Sequence, residues 1–237
     1  MTRLELPPID DVPNIQRFLE GTRNYDMDHH LRLIYHPIYG IFFQERFVMA
    51  LAALDRCCTP RPRCLVEIGY GQGLLFPTLS GMASRVIGVD TLTAEAASCI
   101  DQMLRRLQIT NISLLSGTVW QIPLADRSVD TLLCLSTLEH LHSGKELDGA
   151  IAEIVRVLRF GGSAVLGFPV KNKLTRLLLK MVGINDAEVH PSSHRDIIAS
   201  CGQPELGLEA VRRYPAFCPM DLSLYALIQL RRTQPAA

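Results

Sequence analysis

The sequence predicts an α/β domain built on a largely parallel β-sheet, and three observations lead to that prediction. A continuous apolar run at Cys64–Ile68 leads straight into a glycine-rich turn, which is typical of a parallel strand covered on both faces. Strand and helix patterns then alternate along the chain, as they do in βαβ units. The chain has 237 residues, 48% of them hydrophobic, which is enough for one domain with a full core.

The turn that follows this strand contains Gly69, Gly71 and Gly73. Glycine permits a tight turn and lets a ligand approach the main chain without a Cβ in the way. We expect a helix to begin near Gln72 and to point its first amide groups at the same place, which suits a ligand with a carboxylate or several hydroxyls. A dinucleotide-binding motif would have its third glycine at position 74, where this chain has Leu74.

The segment before the first strand, residues 1–60, is expected to be helical. It carries an apolar stripe at helical spacing that is expected to pack against the sheet, and proline at positions 60 and 62 ends its last helix. The stripe consists of Phe42, Phe43, Phe47, Ala50, Leu51 and Leu54.

Capping signals and periodicity predict the later elements. Ser143–Glu146 matches a capping box, so we expect it to open a helix that ends at Gly161-Gly162. Ser193 is expected to cap a helix that ends near Gly202. Periodicity adds a strand at 85–90, a helix at 92–108 and strands at about 207–214 and 222–231.

Composition and charge exclude several classes of protein. The 24 basic and 24 acidic residues balance, which disfavours a dedicated nucleic-acid binder. Seven cysteines without a CxxC pair predict a reduced, cytoplasmic protein. No apolar run approaches the roughly 20 residues that span a bilayer, and the acidic N-terminal segment with Glu5, Asp10 and Asp11 does not resemble a signal peptide.

Five ordered segments resemble the motifs of one enzyme family. The pattern acid-x-Gly-x-Gly-x-Gly at 67–73 resembles motif I of the class I S-adenosylmethionine-dependent methyltransferases, and the other segments resemble later motifs of that family in the same order. They are Arg85–Asp90, Ser116–Pro123, Ser128–Ser136 with Leu138–Leu141, and Arg156–Gly162. On these segments the chain is identified as a member of that family, in a branch that resembles quinone-biosynthesis and small-molecule methyltransferases.

This resemblance implies a fold and a domain organisation. The implied fold is a Rossmann-like three-layer sandwich whose seven-stranded sheet has the order 3-2-1-4-5-7-6, with strand 7 antiparallel. Residues 1–60 are expected to form a helical cap on a methyltransferase core at 61–237, within one structural domain.

The resemblance also implies S-adenosyl-L-methionine as the cofactor, bound where the strands end. Asp90 is the acid expected to accept hydrogen bonds from the ribose hydroxyls. Thr118 stands where many relatives have an adenine-binding Asp, Gln72 where many have Ser or Thr, and Phe160 replaces a common Pro. The implied cofactor-binding residues are Glu67, Gly69, Tyr70, Gly71, Gly73, Asp90, Thr91, Gly117, Thr118, Val119 and Ser136.

Histidines are the candidate bases and acceptor-site residues. His140 follows the fourth strand and is the candidate general base, with a helix-capping or packing role as the alternative. His30, Tyr35 and His36 are the candidate substrate-binding residues in the N-terminal segment, where a solvated or interface role is the alternative. The same segment also contains Tyr25, His29 and Tyr39.

Three further features have two interpretations each. His190 and His194 have a metal-ligand spacing, but Pro191 and the cap at Ser193 break the helix, so no metal is expected. The basic and apolar segment 171–182 either meets a membrane or lipid-like acceptor, or packs its leucines on the domain. Trp120 either shields the adenine or lies in the core.

The predicted function is transfer of a methyl group to a small or medium-sized metabolite by in-line displacement. Two alternatives stay open: a catalytically silent scaffold, for which the Thr118 departure leaves room although Gly69, Gly71, Gly73 and Asp90 speak against it, and a tRNA-modifying methyltransferase. The basic pairs Arg212-Arg213 and Arg231-Arg232 are the support for the RNA alternative.

Overall fold

The computed structural model describes residues 2–13, 27–37, 40–181 and 190–234, and only the backbone of residues 27–30 and of Phe42. The strands are β1 (Cys64–Ile68), β2 (Arg85–Asp90), β3 (Ile112–Ser116), β4 (Val129–Leu135), β5 (Leu158–Pro169), β6 (Leu206–Tyr214) and β7 (Tyr225–Arg232). The helices are α1 (Met27–Tyr35), α2 (Gly40–Cys57), α3 (Phe76–Met82), α4 (Ala94–Arg106), α5 (Lys145–Val157), α6 (Lys173–Met181) and α7 (His194–Ser200). Short 3-10 turns lie at Ile9–Asp11, Leu138–His140 and Met220–Leu222.

All seven strands form one sheet in the order β3-β2-β1-β4-β5-β7-β6. The first five strands are parallel, and β7 runs antiparallel between β5 and β6. This confirms the predicted strand order and the antiparallel last strand. The carboxyl ends of β1, β2 and β4 therefore lie side by side at one edge of the sheet.

Helices cover both faces of this sheet. Leu65 and Val66 of β1 are both fully buried and point to opposite faces, where they join two separate apolar clusters. One cluster contains residues of α2, α3 and α4, and the other contains residues of α5 and α7. The arrangement is the predicted three-layer sandwich, and burial on both faces explains why β1 is apolar at nearly every position.

The predicted helical stripe of the N-terminal segment packs on the sheet through α2. Phe47, Ala50, Leu51 and Leu54 are buried in the same cluster as Leu65 of β1. Phe43 is partly buried against this cluster, and the side chain of Phe42 lies outside the described residues. The division into a cap at 1–60 and a core at 61–237 stays a prediction.

The predicted start of α5 is wrong. The sequence suggested a capping box at Ser143–Glu146, but the helix begins at Lys145 without a side-chain cap. Gly144 precedes it with a left-handed φ of 78°, and the Glu146 carboxylate accepts a hydrogen bond from the His142 backbone N–H at 2.8 Å. The Glu146 side chain is therefore engaged outside the helix rather than at its N-cap.

The predicted end of α5 is also wrong. The helix ends at Val157, and Leu158 already pairs with Val129 at the start of β5. Gly161-Gly162 consequently lie inside β5 rather than at a helix terminus. A register shift between Val129 and Thr131 accommodates the extra residues of the longer strand.

The other capping prediction is confirmed. The Ser193 side chain accepts a hydrogen bond from the Asp196 backbone N–H, and the Asp196 carboxylate accepts one from the Ser193 backbone N–H. This reciprocal pair opens α7, which ends at Ser200. Within the described residues, no helix combines the length and the apolar character that crossing a bilayer requires.

The core contains one carboxyl group with an unusual pKa. Glu67 of β1 is only 6% exposed, and its Oε2 atom has no hydrogen-bond partner among the described residues. Burial, and then the nearby charge of Asp90, raise the pKa of Glu67 to about 8. At neutral pH the folded protein therefore holds Glu67 mainly as the neutral acid.

Two glycine-to-alanine substitutions test the packing between β2 and α3. A Cβ at Gly88 would come 2.7 Å from Phe76 Cζ and 2.7 Å from Tyr70 Cδ1, so Gly88→Ala is expected to lower the free energy of unfolding by about 1–3 kcal/mol. Gly149, within α5, has no atom within 4 Å of such a Cβ, so Gly149→Ala is expected to raise it by about 0.5–1 kcal/mol. Urea unfolding at one pH measures both changes, and equal effects of the two substitutions would contradict this packing.

A second prediction concerns the pH dependence of stability. An acid with a raised pKa binds more protons in the folded state, so Glu67 stabilises the fold fully below its unfolded pKa of about 4.3. This contribution is lost as the pH rises through about 8. We expect urea unfolding of the wild type to show a loss of a few kcal/mol between about pH 5 and pH 9. Glu67→Gln should lack most of this loss, whereas Glu95→Gln, at an exposed position of α4, should retain it. A Glu67→Gln profile that parallels the wild type would refute the assignment.

Candidate functional site

The glycine-rich turn after β1 has a backbone that other residues adopt only with strain. Gly69, Gly71 and Gly73 have left-handed φ values of 71°, 51° and 68°. A Cβ at Gly69 would come 2.1 Å from Thr137 Oγ1, in the segment that follows β4. The turn therefore needs glycine both for its conformation and for its close contact with the end of β4.

The turn is longer than predicted, because α3 begins at Phe76 rather than near Gln72. The left-handed glycines at 71 and 73 are incompatible with a right-handed helix, and residues 71–75 form consecutive turns instead. The side chain of Gln72 is only 5% exposed, and its Nε2 atom has no hydrogen-bond acceptor among the described residues.

Asp90, the last residue of β2, lies against this turn. One oxygen of its carboxylate accepts a hydrogen bond from the Gly71 N–H at 2.8 Å, and the other accepts one from the Thr91 N–H at 2.7 Å. Burial raises the pKa of Asp90, and the hydrogen bonds from Gly71 and Thr91 oppose part of that rise. The sequence-predicted Asp90, Thr91 and glycine turn are thus brought together.

Tyr70 lies within the turn, and its side chain is buried. Its side chain is 6% exposed and belongs to the apolar cluster on the α3 face, with its ring centroid 5.2 Å from that of Phe76. The side chain of Tyr70 therefore packs the turn against α3, and the nearby charges of Asp90 and Glu67 add to the effect of burial in raising the pKa of its hydroxyl.

The turn after β3 forms the next wall. The Gly117 N–H donates to the Asp90 carbonyl oxygen at 2.9 Å, so this turn is attached to the end of β2. Val119 is buried, and the Thr118 Oγ1 atom is buried without a hydrogen-bond partner among the described residues. Trp120 is 49% exposed, so its interpretation as a core aromatic is wrong.

Ser136 follows β4 and has contacts that the sequence did not predict. It is a non-glycine residue with a left-handed φ of 51°. Its Oγ accepts a hydrogen bond from Arg46 Nη1 at 3.2 Å and lies 3.1 Å from the Tyr225 hydroxyl oxygen. Arg46 and Tyr225 are thus part of the site, although they lie 90 and 89 residues away in sequence and carry no recognisable motif.

His140 lies in the 3-10 turn after β4, where it is exposed. Its ring centroid is 5.2 Å from that of His190, and both rings lie near the buried carboxylate of Glu139. His194 does not join this pair of rings. Its Nδ1 atom accepts a hydrogen bond from the Lys171 N–H, and its Nε2 atom contacts the Asp221 carboxylate. The structure therefore pairs His190 with His140 rather than with His194.

The candidate substrate-binding residues of the N-terminal segment are only partly described. The side chains of His29 and His30 lie outside the described residues, as do Tyr25 and Tyr39 altogether. The Tyr35 hydroxyl donates to the Pro7 carbonyl oxygen, and burial raises the pKa of Tyr35 to about 12. His36 is half-buried at the end of α1.

Residues Lys173–Met181 of the segment 171–182 form α6, and most of its apolar residues are exposed. Leu174, Leu177 and Met181 are 48%, 56% and 73% exposed, whereas Leu179 is half-buried and Thr175 is buried. Most of the apolar side chains of α6 therefore do not pack on the domain, which weighs against that alternative.

Comparison with known proteins identifies related chains. Residues 66–166 match the model of a family described as a methyltransferase domain. A probable S-adenosylmethionine-dependent methyltransferase of Mycolicibacterium smegmatis is 30% identical over 134 residues, which are 56% of this chain and 47% of that protein. An uncharacterized methyltransferase of Mycobacteroides abscessus is 31% identical over 110 residues, 46% of this chain and 41% of that protein. The matches span less than half of the length of these two curated relatives.

Solved structures share the fold over most of this chain. The N-methyltransferase NodS from Bradyrhizobium japonicum, solved with S-adenosyl-L-homocysteine, has a TM-score of 0.66 and 19% identity and covers 94% of this chain and 99% of its own. A geranyl diphosphate methyltransferase solved with S-adenosylmethionine has a TM-score of 0.65 and 20% identity, and the match covers 90% of this chain and 93% of that chain. Residues 66–166 thus match a methyltransferase domain, and the strand order and the solved structures show that the chain has the fold of the class I S-adenosylmethionine-dependent methyltransferases.

Proposed function

We propose that this chain binds S-adenosylmethionine at the carboxyl ends of β1, β2 and β4 and transfers its methyl group to a small or medium-sized metabolite. The observation that carries the proposal is the Asp90 carboxylate, which lies at the end of β2 and accepts the Gly71 N–H. A ligand bound there can touch the main chain of the glycine turn and this carboxylate together. Such a site suits a molecule with an amino-acid end and a sugar.

The buried polar atoms around this crevice, which lies at the carboxyl ends of β1, β2 and β4, support the assignment. Glu67 Oε2, Gln72 Nε2 and Thr118 Oγ1 have no hydrogen-bond partner among the described residues, and buried polar atoms are normally satisfied. We assign the methionine end of the cofactor to Glu67 and the turn Gly69–Gly73. The ribose is assigned to Asp90 with Thr91, the adenine to Gly117–Val119, and the side near the transferable methyl group to Ser136.

The chemistry requires alignment more than a protein nucleophile. The cofactor supplies a methyl group activated by its bond to a sulfonium. The acceptor's electron pair forms the new bond to the methyl carbon while the carbon–sulfur bond breaks, and the sulfur keeps that electron pair. The residues of the crevice hold the two reactants in line and exclude water. His140 is the candidate for receiving a proton from the acceptor.

The acceptor side of the crevice is bordered by Arg46, Ser136 and Tyr225. Arg46 reaches it from α2, so the N-terminal helices supply a cation beside the end of β4. A guanidinium at this place favours an acceptor with a carboxylate or phosphate group. A structural neighbour is a geranyl diphosphate methyltransferase solved with geranyl diphosphate, so this fold can hold a small anionic acceptor. Membership of the quinone-biosynthesis branch stays a prediction.

Most of the arginines that support the RNA alternative make hydrogen bonds within the fold. The Arg231 side chain donates to the Glu209 carboxylate, and Arg232 donates to the Arg156 carbonyl oxygen at 3.2 Å. Arg213 donates to the Cys218 carbonyl oxygen. Three of the four arginines in the two basic pairs therefore have partners within the fold, which weakens the case for a basic surface that binds a phosphate backbone.

We also propose a cytoplasmic location and a peripheral surface contact through α6. All seven cysteines are free thiols, which suits a reducing compartment. The exposed Leu174, Leu177 and Met181 lie on a helix that also carries Lys173 and Lys180, and this combination suits reversible contact with an anionic lipid surface.

Isothermal titration with S-adenosylmethionine tests the cofactor site. Asp90→Ala should raise the dissociation constant about 100-fold, because it removes charge-assisted hydrogen bonds to the turn and to the sugar. Gly71→Val should abolish detectable binding, because a β-branched residue disfavours the φ of 51°. Asp101→Ala is the matched control, since Asp101 is a half-exposed residue of α4 that pairs with Arg105.

Two outcomes of this titration would contradict the proposal. Wild-type protein that fails to bind at millimolar cofactor would favour the catalytically silent scaffold. That alternative stays open because Thr118 stands where many relatives have an adenine-binding Asp. Wild-type affinity in both Asp90→Ala and Gly71→Val would show that the cofactor lies elsewhere. Circular dichroism of each variant confirms that the fold persists.

A further inference from the structure

We propose that Glu139, His140 and His190 form a binding site for one divalent transition-metal ion of the zinc type. One ligand atom from each of the three side chains lies within 4.8 Å of the other two. Zinc bonds of about 2.0–2.1 Å place tetrahedral ligands about 3.4 Å apart. Binding of one ion would therefore require the ligand atoms to approach each other by up to about 1.4 Å.

The main chain holds both parts of this site in place. Glu139 and His140 belong to the 3-10 turn that follows β4. The Ser192 N–H donates to the Glu139 carbonyl oxygen at 3.3 Å, and Lys171 Nζ donates to the His190 carbonyl oxygen at 2.8 Å. Residues 51 positions apart in sequence are therefore fixed beside each other before any ion binds.

The Glu139 carboxylate is the observation that points to a cation. Its side chain is 2% exposed, and neither carboxylate oxygen has a hydrogen-bond partner among the described residues. A buried carboxylate without hydrogen bonds is costly unless a positive charge lies beside it. A metal ion held also by the two imidazoles supplies that charge, and the exposed side of His140 leaves coordination positions open to solvent.

The donor set selects the kind of ion. Two imidazole nitrogens and one carboxylate are typical ligands of catalytic zinc and of ferrous iron, whereas calcium and magnesium prefer oxygen alone. The open positions suit a hydroxyl or carboxylate oxygen of a methyl acceptor, and this part of the inference rests on the proposed function. A metal-bound acceptor hydroxyl loses its proton to solvent more readily, and His140 then acts as a ligand rather than as the base.

This site differs from the one that the sequence suggested and dismissed. Histidine spacing drew attention to His190 and His194, but the His194 Nε2 atom lies 3.1 Å from Asp221 Oδ1 in a separate contact. The partners of His190 come instead from the turn after β4.

The test is a zinc titration of tag-free, chelator-treated and cofactor-free protein, with Co(II) absorption as a second readout. We expect one equivalent to bind the wild type. Glu139→Gln, His140→Ala and His190→Ala should each weaken binding about 100-fold or more. His142→Ala is the matched control, because His142 is an exposed histidine on the same segment that contacts Glu146. His140 is also exposed, so His140→Ala should fold normally.

The proposal is overturned if the wild type binds no stoichiometric zinc. It is equally overturned if His140→Ala and His190→Ala bind zinc as tightly as His142→Ala. Asp90→Ala should bind the cofactor about 100-fold more weakly and keep zinc, so a failure of the metal site is distinguishable from a failure of the proposed function.

Discussion

The Asp90 residue is the constraint on which the whole crevice depends. Its carboxylate accepts the Gly71 N–H and its main-chain carbonyl accepts the Gly117 N–H, so one residue fixes the turns after β1 and β3. The Gly69 N–H donates to the Val89 carbonyl oxygen at 2.8 Å and completes the attachment. Because these bonds join the ends of neighbouring parallel strands, the sheet itself sets the position of the site.

Buried polar atoms without hydrogen-bond partners occur around the crevice and also at other places among the described residues. Away from the site, Arg156 bonds the carboxylates of Glu153 and Asp126 and two backbone carbonyl oxygens. Around the crevice, Glu67 and Thr118 keep buried polar atoms without hydrogen-bond partners among the described residues. A ligand bound in the crevice would supply partners for the atoms of Glu67 and Thr118, which is consistent with a binding site there.

The end of β4 separates two chemically different surroundings. Ser136 faces Arg46 from the N-terminal helices, whereas Glu139, only three residues later, faces His190 from the segment before α7. The intervening Thr137 lies against the glycine turn. A reacting group near Thr137 would therefore lie between the cation of Arg46 and the proposed metal ligands.

The sequence by itself determined the elements whose signals are local. The apolar run of β1, the glycine turn, the acid at the end of β2 and the Ser193 capping box depend on neighbouring residues, and each is confirmed. The predicted end of α5 was wrong because Leu158 pairs with Val129 and so begins a strand. The predicted start of α3 was wrong because Gly71 and Gly73 have positive φ values, which a right-handed helix excludes. Only the tertiary structure decided the contacts of Arg46, Tyr225 and His190, because residues separated by 50 to 90 positions meet through packing that no local pattern encodes.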